Sequence, residues 1–367
     1  MKTIERALLL LGLAALVSMP ALTGAAPLGA PAKGAANRHR ETVVTLSAVG
    51  DVMFGRYNPD GRYRPFGLEE PFRLVKALWE GRDIVLCNLE TPVGPKAYAK
   101  PYRGLTFRAE PRSARLLREA GFTLAVTANN HAFDQKDQGV KDTIAHLSAA
   151  GLGVAGTGAT REEAFAPYVF QKRGVKVAVM GVTLLRNYTP KEQIGFHAYL
   201  NAKDVHAELP RRIREIRARY DFFVLSIHFG VEYYQTVSRF DRTLMDKLQA
   251  AGVDVVIGHH PHVLRPVEHR GPMVVFYSLG NFLFDYEMKN TGNAGVAELE
   301  LVKRGDRREL RKVRFVPVYR HWRRIPVPAT GAHGKRIRAE LQRIGAPLKT
   351  GTRLLEDGEA LSILPPS

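Results

Sequence analysis

The sequence is poor in cysteine: Cys87 is the only one among 367 residues. A single cysteine excludes an intrachain disulfide. Its place well inside the chain also excludes a lipid-modified cysteine at an N-terminal processing site. Cys87 follows a short apolar run, which favours a buried thiol that packs as a small hydrophobe. The fold therefore depends on core packing, and a bound metal would add to it.

Acidic residues are fewer than basic ones: the chain has 36 aspartates and glutamates and 54 lysines and arginines. The resulting net charge of +18 and the pI near 10.0 favour a polyanionic partner or an anionic membrane surface. Nucleic acid is not expected as a partner. No nucleic-acid-binding motif accompanies the charge, and the N-terminus has the character of an export signal.

The N-terminus lacks an uninterrupted hydrophobic run of membrane-spanning length. Residues 1–25 have a basic start, a short apolar core and small residues before Ala25, which together are typical of a secretory signal peptide. The alternative is an uncleaved anchor over residues 7–36, which prolines and glycines interrupt. Residues 26–40, rich in alanine, proline and glycine, are interpreted as a linker. We therefore expect an exported protein, periplasmic or extracellular, which is membrane-anchored if the N-terminal segment is not cleaved.

Beyond the linker, strand-like and helical runs alternate, which predicts an α/β fold. The predicted helices cover residues 70–80, 111–120, 138–150, 204–220 and 239–251. After Gly258 the pattern changes to strands separated by turns, which indicates a second sheet packed on the first. We predict one domain over residues 41–325. A C-terminal helical extension follows over residues 326–367, with a short basic helix at 335–344.

A strongly basic strip, residues 303–324, overlaps the last predicted strands and holds eight arginines and two lysines. Two interpretations of the basic strip remain open. Its charges either solvate a sheet edge and discourage aggregation, or bind a polyanion.

Five polar clusters follow apolar, strand-like runs. They are Gly50-Asp51, Asn88-Leu89-Glu90, Asn129-Asn130-His131, His228 and Gly258-His259-His260-Pro261-His262. Open α/β folds place their ligands at the carboxyl ends of the strands, so these distant residues are expected to meet. Imidazoles, carboxylates and amides are ligands of divalent metals. The clusters therefore predict a metal-dependent hydrolase.

Six segments in order resemble the CapA family of capsule or poly-γ-glutamate synthesis proteins. They are Ser47-Ala48-Val49-Gly50-Asp51-Val52-Met53-Phe54-Gly55-Arg56, Asn88-Leu89-Glu90-Thr91-Pro92, Ala128-Asn129-Asn130-His131-Ala132-Phe133-Asp134, His228-Phe229-Gly230-Val231-Glu232-Tyr233, Gly258-His259-His260-Pro261-His262-Val263 and Tyr277-Ser278-Leu279-Gly280-Asn281-Phe282. The resemblance covers residues 43–285. It implies a calcineurin-like metallophosphatase fold, a four-layer α/β/β/α sandwich with two mixed sheets.

The resemblance implies one or two divalent ions, with Mn, Fe, Zn and Mg all open as the metal. The ligands it implies are Asp51, Asn88, Glu90, Asn130, His228, His260 and His262. Glu90 is the better candidate for a carboxylate that bridges two ions, since Asn88 carries no charge. The family fold usually has a histidine two residues after the first aspartate, where this chain has Met53. A thioether is a poor ligand for hard divalent ions.

The remaining predicted site residues face the substrate or support the ligands. His131 would stabilise a transferring group or protonate the leaving group, and Asp134 would orient it or cap the helix that follows. Arg56 and Arg108 are candidate binders of carboxylate or phosphate, or ordinary surface arginines.

Glu232 and His259 are also placed on the substrate side of the site. Glu232 would hold an imidazole in its tautomer. His259 either makes a hydrogen bond or replaces the ligand that Met53 cannot supply.

These residues favour an exported CapA-like protein that acts in the synthesis or release of poly-γ-glutamate or a similar polyanionic polymer. We expect a metal-dependent hydrolase, although the residues alone do not decide whether the protein is an enzyme. The alternatives are an assembly factor that binds the polymer without catalysis, a general secreted metallophosphoesterase, and a protein that binds polyanions or membranes through the basic strip alone.

Overall fold

The computed structural model describes residues 41–57, 63–65, 70–99, 106–187, 196–285, 288, 290–320 and 325–366. The predicted signal peptide (residues 1–25) and linker (residues 26–40) lie outside the described residues. Among the residues described, no helix combines the length and the apolar character needed to cross a bilayer.

Nineteen strands are present in the described part of the chain. They are β1 (Thr42–Val52), β2 (Gly55–Tyr57), β3 (Tyr63–Pro65), β4 (Ile84–Leu89), β5 (Thr106–Phe107), β6 (Leu124–Val126), β7 (Gly153–Ala155), β8 (Tyr168–Lys172), β9 (Val175–Thr183), β10 (Phe222–His228), β11 (Val255–His259), β12 (Val267–Arg270), β13 (Met273–Phe276), β14 (Asn281–Leu283), β15 (Asn293–Arg304), β16 (Arg307–Arg320), β17 (Pro326–Pro328), β18 (Arg353–Asp357) and β19 (Ala360–Leu364).

Six α-helices lie between these strands in the described residues. They are α1 (Arg112–Glu119), α2 (Lys136–Ala149), α3 (Arg161–Phe165), α4 (Val205–Arg217), α5 (Arg239–Ala250) and α6 (Gly331–Gly345), with short 3-10 helices at Lys76–Trp79 and Ala346–Leu348. Four of the five helices predicted before residue 260 are confirmed, as α1, α2, α4 and α5. The basic C-terminal helix is confirmed as α6.

The strands form two large mixed sheets. The ten-stranded sheet has the order β18-β19-β16-β15-β1-β4-β6-β7, with β14 beside β1 and β17 beside β16. The six-stranded sheet has the order β12-β13-β11-β10-β9-β8, and β3, β2 and β5 form a third, small sheet. Strands β1, β4, β6 and β7 run parallel in the larger sheet, as do β9, β10, β11 and β13 in the smaller one. The predicted α/β class with two mixed sheets is confirmed.

Strand β9 shows how the layers form, because its side chains alternate between two faces. Val177 and Val179 enter the apolar core between the two large sheets. Ala178, Met180 and Val182 enter a second core, which α3, α4 and α5 cover. On the far face of the larger sheet a third core packs against α1 and α2. The order of layers is therefore helix, sheet, sheet, helix, as the family resemblance implies.

The helix predicted over residues 70–80 is wrong. This segment is a series of turns that ends in the 3-10 helix Lys76–Trp79. Phe72 and Val75 are fully buried, with the partly buried Leu78 three residues further on. A spacing of three residues matches the three-residue turn of a 3-10 helix better than the 3.6 residues of an α-helix.

The segment after residue 325 contains strands in addition to the expected helix. Strands β17 and β19 pair with β16, and β18 extends the sheet beyond β19. Ile337 and Leu341 of α6 lie in the core between the two large sheets. The C-terminal segment therefore completes the larger sheet and closes one end of its core.

Several basic side chains of the basic strip form ion pairs with acidic side chains of the same molecule. Arg304 and Arg311 both pair with Glu41, at 2.6 and 2.8 Å. Arg311 and Lys312 both pair with Glu300, at 2.8 and 3.0 Å. These contacts favour the interpretation of a solvated surface on the β15–β16 hairpin, and binding of a polyanion there stays a prediction.

Candidate metal centre

The carboxyl ends of the parallel strands of both sheets meet at one edge of the sandwich. Asp51 lies near the end of β1, and Asn88 lies near the end of β4. His228 and His259 are the last residues of β10 and β11. His259 Nδ1 donates to Asp51 Oδ1 at 3.0 Å, which joins the two sheets at this edge. The predicted convergence of the polar clusters is therefore present in the structure.

The glycines before Asp51 and His259 allow the strand ends to approach neighbouring backbone. A Cβ on Gly50 would lie 1.9 Å from Gly280 O, and one on Gly258 would lie 2.2 Å from Tyr277 O. Any side chain would move the strand ends apart, so glycine is required at both positions.

Asp51 is fully buried and accepts several hydrogen bonds. Asn88 Nδ2 and His259 Nδ1 donate to Oδ1 at 2.9 and 3.0 Å, and the His260 N–H donates to Oδ2 at 3.2 Å. Burial alone would raise the pKa of Asp51. The bonds from His259 and His262 outweigh burial and hold that pKa well below its usual range. Asp51 is therefore an ionised carboxylate at the centre of the site.

Glu90 presents a carboxylate oxygen, Oε1, that is buried without a hydrogen-bond partner among the described residues. Three imidazole Nε2 atoms surround it: those of His131 at 3.9 Å, His228 at 4.0 Å and His262 at 3.8 Å. Burial, together with the charge of Asp51, raises the pKa of Glu90 well above its usual range. An orphaned oxygen among imidazole nitrogens fits a divalent cation, whose ligands are these groups.

The amides of the Asn129-Asn130 pair position two other groups. His228 Nε2 donates to Asn130 Oδ1 at 2.8 Å, which holds the two groups together. Asn129 Nδ2 donates to Asn88 Oδ1 at 3.1 Å, and its own Oδ1 accepts from the His131 N–H at 3.1 Å. Burial, together with the charge of His260, lowers the pKa of His228 well below its usual value, which keeps it neutral.

His260 and His262 lie on a strained loop after β11, with φ values of 96° and 59°. Strain of this kind persists only where the surrounding structure imposes it, and it is concentrated at functional sites. His262 Nδ1 donates to Asn281 Oδ1 at 2.8 Å, which leaves Nε2 for the site. Although burial opposes it, the charge of Glu90 raises the pKa of His262 to about 9. Burial lowers the pKa of His260 to about 3.

Asp134 and Phe107 hold the ring of His131. His131 Nδ1 donates to Asp134 Oδ2 at 2.7 Å, and the same oxygen accepts the Phe107 N–H at 2.6 Å. The Phe107 ring stacks on the imidazole with centroids 3.8 Å apart. Asp134 is therefore placed to position His131, whose Nε2 faces Glu90.

The sequence left the roles of Met53 and His259 open, and the structure shows their surroundings. Met53 is fully buried and packs with Phe107 and Phe284. His259 makes the hydrogen bond to Asp51 that the sequence considered, while its Nε2 has no partner among the described residues. The Met53 side chain therefore contributes to the apolar wall of the site.

The two predicted arginines have different surroundings. Arg56 Nε pairs with Asp285 Oδ2 at 2.7 Å, and the guanidinium lies 5.1 Å from the Phe107 ring centroid. Arg108 is nine per cent exposed and donates to Pro95 O at 2.9 Å. Arg56 thus lies against the Phe107 ring that stacks on His131, whereas Arg108 holds a neighbouring loop. Their roles toward substrate stay predictions.

Sequence reasoning missed Asn187, which follows β9 and contacts the site. Asn130 Nδ2 donates to Asn187 Oδ1 at 3.2 Å, and the Asn187 N–H donates to Asn130 O at 3.2 Å. The neighbouring Arg186 is exposed and its guanidinium lies 4.4 Å from the Tyr199 ring centroid. A polar residue after a parallel strand was the available signal, because the same signal marks the other clusters.

Comparison with known proteins agrees with this arrangement of residues. The family model “Bacterial capsule synthesis protein PGA_cap” matches residues 45–286, which is more than half of the chain. The chain belongs to this family. The match spans the strand ends from Asp51 to Asn281, and the resemblance drawn from the motifs is confirmed.

Two relatives place the chain among the CapA proteins. The PGA biosynthesis protein CapA of Bacillus subtilis (strain 168) is 32% identical over 273 residues, covering 73% of this chain and 70% of that protein. The capsule biosynthesis protein CapA of Bacillus anthracis is 31% identical over 275 residues, covering 73% of this chain and 66% of that protein.

A phosphatase from Mycoplasma pneumoniae is among the similar solved structures. Its identity to this chain is 12%, its TM-score is 0.47, and the alignment covers 76% of this chain and 95% of that one. A likeness of this size supports no argument about chemistry.

Proposed function

We propose that this member of the capsule synthesis family is an exported, metal-dependent hydrolase that cuts poly-γ-glutamate or a similar anionic capsule polymer. The observation that carries the proposal is the unpartnered Glu90 Oε1, with three imidazole Nε2 atoms at 3.8–4.0 Å. The names of the Bacillus relatives, which refer to PGA and capsule biosynthesis, supply the polymer.

The residues that would hold divalent ions are Asp51, Glu90, Asn130, His228, His260 and His262, with Asn88 supporting them. An ion at this place would polarise a carbonyl or phosphoryl oxygen and make water more acidic. The predicted set of oxygen and nitrogen donors suits Mn, Fe, Zn or Mg. The buried surroundings strengthen the interaction of the carboxylates with a cation.

His131 would move the proton of the reaction. Its Nδ1–H is fixed on Asp134 at 2.7 Å, so Nε2 is the nitrogen that faces the site. Nε2 can take a proton from the attacking water and then give it to the leaving nitrogen or oxygen. The stacked Phe107 ring prevents the imidazole from rotating away.

Arginines at the rim would receive the anionic groups of a polymer. Arg56 lies over the Phe107 ring, which stacks on His131, and its Nε is paired with Asp285. Arg186 lies next to Asn187, and no ion pair joins it to an acidic side chain in the described part of the chain. Guanidinium groups bind carboxylates in bidentate geometry, which suits the side chains of polyglutamate.

The test is an assay of hydrolysis on poly-γ-glutamate and on a phosphodiester, with chelated and metal-supplemented protein. We expect polyglutamate cleavage that needs added metal. We also expect that His131→Gln reduces the rate about 100- to 10,000-fold without loss of bound metal, because His131 is assigned to proton transfer. Metal-independent cleavage, or full activity of His131→Gln, would contradict the proposal.

A non-catalytic role in polymer assembly is the second candidate, because Met53 stands where a ligand is expected and packs with Phe107 and Phe284. In that case the protein would bind polyglutamate in a salt-sensitive manner without cleaving it. Binding by His131→Gln as tight as by the wild type, with no cleavage by either, would select this candidate.

A further inference from the structure

The turn after β10 places a carboxylate beside the two histidines of the β11 loop. Glu232 is exposed, and one of its carboxylate oxygens lies within 4.8 Å of the ligand nitrogens of His260 and His262. No hydrogen bond or ion pair joins Glu232 to another residue in the described part of the chain. His260 Nδ1 is buried and also has no partner there. Glu232 and His260 Nδ1 are therefore without a hydrogen-bond partner among the described residues, and they lie beside His262, whose Nδ1 is held by Asn281.

The backbone holds this turn against the β11 loop. The Tyr233 N–H donates to Pro261 O at 2.8 Å, and Tyr233 has a φ of 66°. Beneath the turn, the buried Arg265 donates to Thr236 O and to Asp241 Oδ2, both at 2.6 Å. Since a left-handed conformation is unfavourable for a residue other than glycine, the surrounding contacts must impose it. The position of Glu232 is therefore set by buried structure, although its side chain is exposed.

We propose that Glu232, His260 and His262 bind a second divalent cation, beside the one held by Asn130 and His228. The inference rests on the proposed metal centre and adds a ligand to it. Glu90 Oε1 lies 4.0 Å from His228 Nε2 and 3.8 Å from His262 Nε2, so it stands between the two groups. A carboxylate in that position can contact both cations.

This assignment explains how the chain manages without a histidine at position 53. Met53 is buried with Phe107 and Phe284 and offers no donor to a hard cation. Glu232 supplies an oxygen donor from the turn after β10, close to His260 and His262. With Asp51 and Glu90 it brings the number of carboxylates to three, which suits the charge of two divalent ions.

The experiment counts the ions bound per chain with Co²⁺ alone as the probe, by equilibrium dialysis and elemental analysis. Visible absorption of the cobalt protein reports the coordination of each ion independently of activity. We expect two ions in the wild type and one in Glu232→Gln, with at least a tenfold loss of affinity for the second ion. Asn130→Ala should lose the other ion and keep the one at Glu232.

Two control variants distinguish ligand loss from other effects. Glu119→Gln removes an exposed carboxylate on α1, and Tyr234→Ala changes an exposed residue of the same turn. Both should bind two ions, and all variants should show the wild-type circular dichroism spectrum. Glu232→Gln with two ions at unchanged affinity, or a wild type with a single ion, would overturn the inference. A wild type that binds no ion would instead refute the proposed function.

Discussion

At the scale of single residues, hydrogen bonds orient the imidazoles before any ion is present. His262 shows this best, because Asn281 Oδ1 accepts from its Nδ1 at 2.8 Å and so directs Nε2 toward Glu90. Residues that orient a ligand in this way contribute about 10- to 100-fold to metal affinity. The site is therefore defined as much by its amides as by its histidines.

Replacement of Asn281 tests this role. In Asn281→Ala, His262 loses its acceptor, and we expect the affinity for a divalent ion to fall about 10- to 100-fold. Ser278→Ala, three residues earlier, is the matched control, because the Ser278 hydroxyl accepts from the Gly280 N–H and makes no hydrogen bond to a histidine among the described residues. Isothermal titration with Mn²⁺ measures both, and equal affinities of wild type and Asn281→Ala would show that Asn281 is not needed.

His197 is a buried histidine outside the ligand group, packed on Phe133 with ring centroids 4.8 Å apart. Burial, together with the charge of Arg186, lowers the pKa of His197 to about 4. Between pH 6.5 and 4 the His197 side chain therefore binds a proton in the unfolded state but not in the folded state. The stability that His197 contributes is complete above pH 6.5 and is lost as the pH falls through this window.

Substitution of His197 by a residue that does not titrate should remove this loss. We expect the free energy of unfolding of His197→Gln to decline less than that of the wild type between pH 7 and pH 4, by about 3 kcal/mol. Urea unfolding at the two pH values measures the difference. Parallel pH profiles of the two proteins would contradict the assignment.

At the scale of elements, the strand ends depend on close backbone approach. In Gly50→Ala the new Cβ would meet Gly280 O, so β1 and the turn before β14 must separate. We expect a loss of about 1–3 kcal/mol in unfolding free energy, together with weaker metal binding through the displaced Asp51. Gly292→Ala, where nothing lies within 4 Å, is the control and should leave both quantities unchanged. Equal stability of the two variants would show that β1 does not depend on the close approach of Gly50 to Gly280.

Strand ends could be predicted from the sequence because an apolar run followed by polar residues is a local pattern. Asn88, Asn130 and His228 were found in this way, and the structure brings them together. The stacking of Phe107 on His131 could not be predicted, since it depends on how the loop before α1 folds over the site. The 3-10 helix at Lys76–Trp79 was missed because its three-residue spacing resembles one face of an α-helix.

At the scale of the whole molecule, the metal-free site holds a proton between Glu90 and His262. Burial raises the pKa of Glu90 well above its usual range. Burial lowers the pKa of His262, but the charge of Glu90 outweighs it and raises that pKa to about 9, so the pair binds one proton at neutral pH. An imidazole must lose its proton to bind a metal. Metal binding should therefore release a proton, and the affinity should fall about tenfold for each pH unit below 9 through this group.

Isothermal titration with Mn²⁺ from pH 6.5 to 8.5, in buffers of different ionisation enthalpy, measures the protons released. We expect about one proton from His262 for each ion bound at that histidine. An affinity that does not change over this range would contradict the protonation state assigned to the metal-free protein.

The net charge of the molecule overstates how many of its basic groups are free to bind an anion. Although the net charge is +18, the arginines of the basic strip that pair with Glu41 and Glu300 are already neutralised within the molecule. Arg56 is likewise paired with Asp285. Arg186, which has no acidic partner in the described part of the chain, is therefore the arginine beside the site that would receive an anionic polymer. Capsule-family membership, the strand-end ligands and this arginine fit one function.

The most direct test of the metal centre is the metal content and thermal stability of the wild type beside Glu90→Gln. We predict that the wild type binds divalent metal and melts at a higher temperature with it. Glu90→Gln should lose the metal, and added metal should no longer raise its melting temperature, because the carboxylate that faces the three imidazoles is gone. Wild-type protein without metal, or Glu90→Gln with its full complement, would contradict the account.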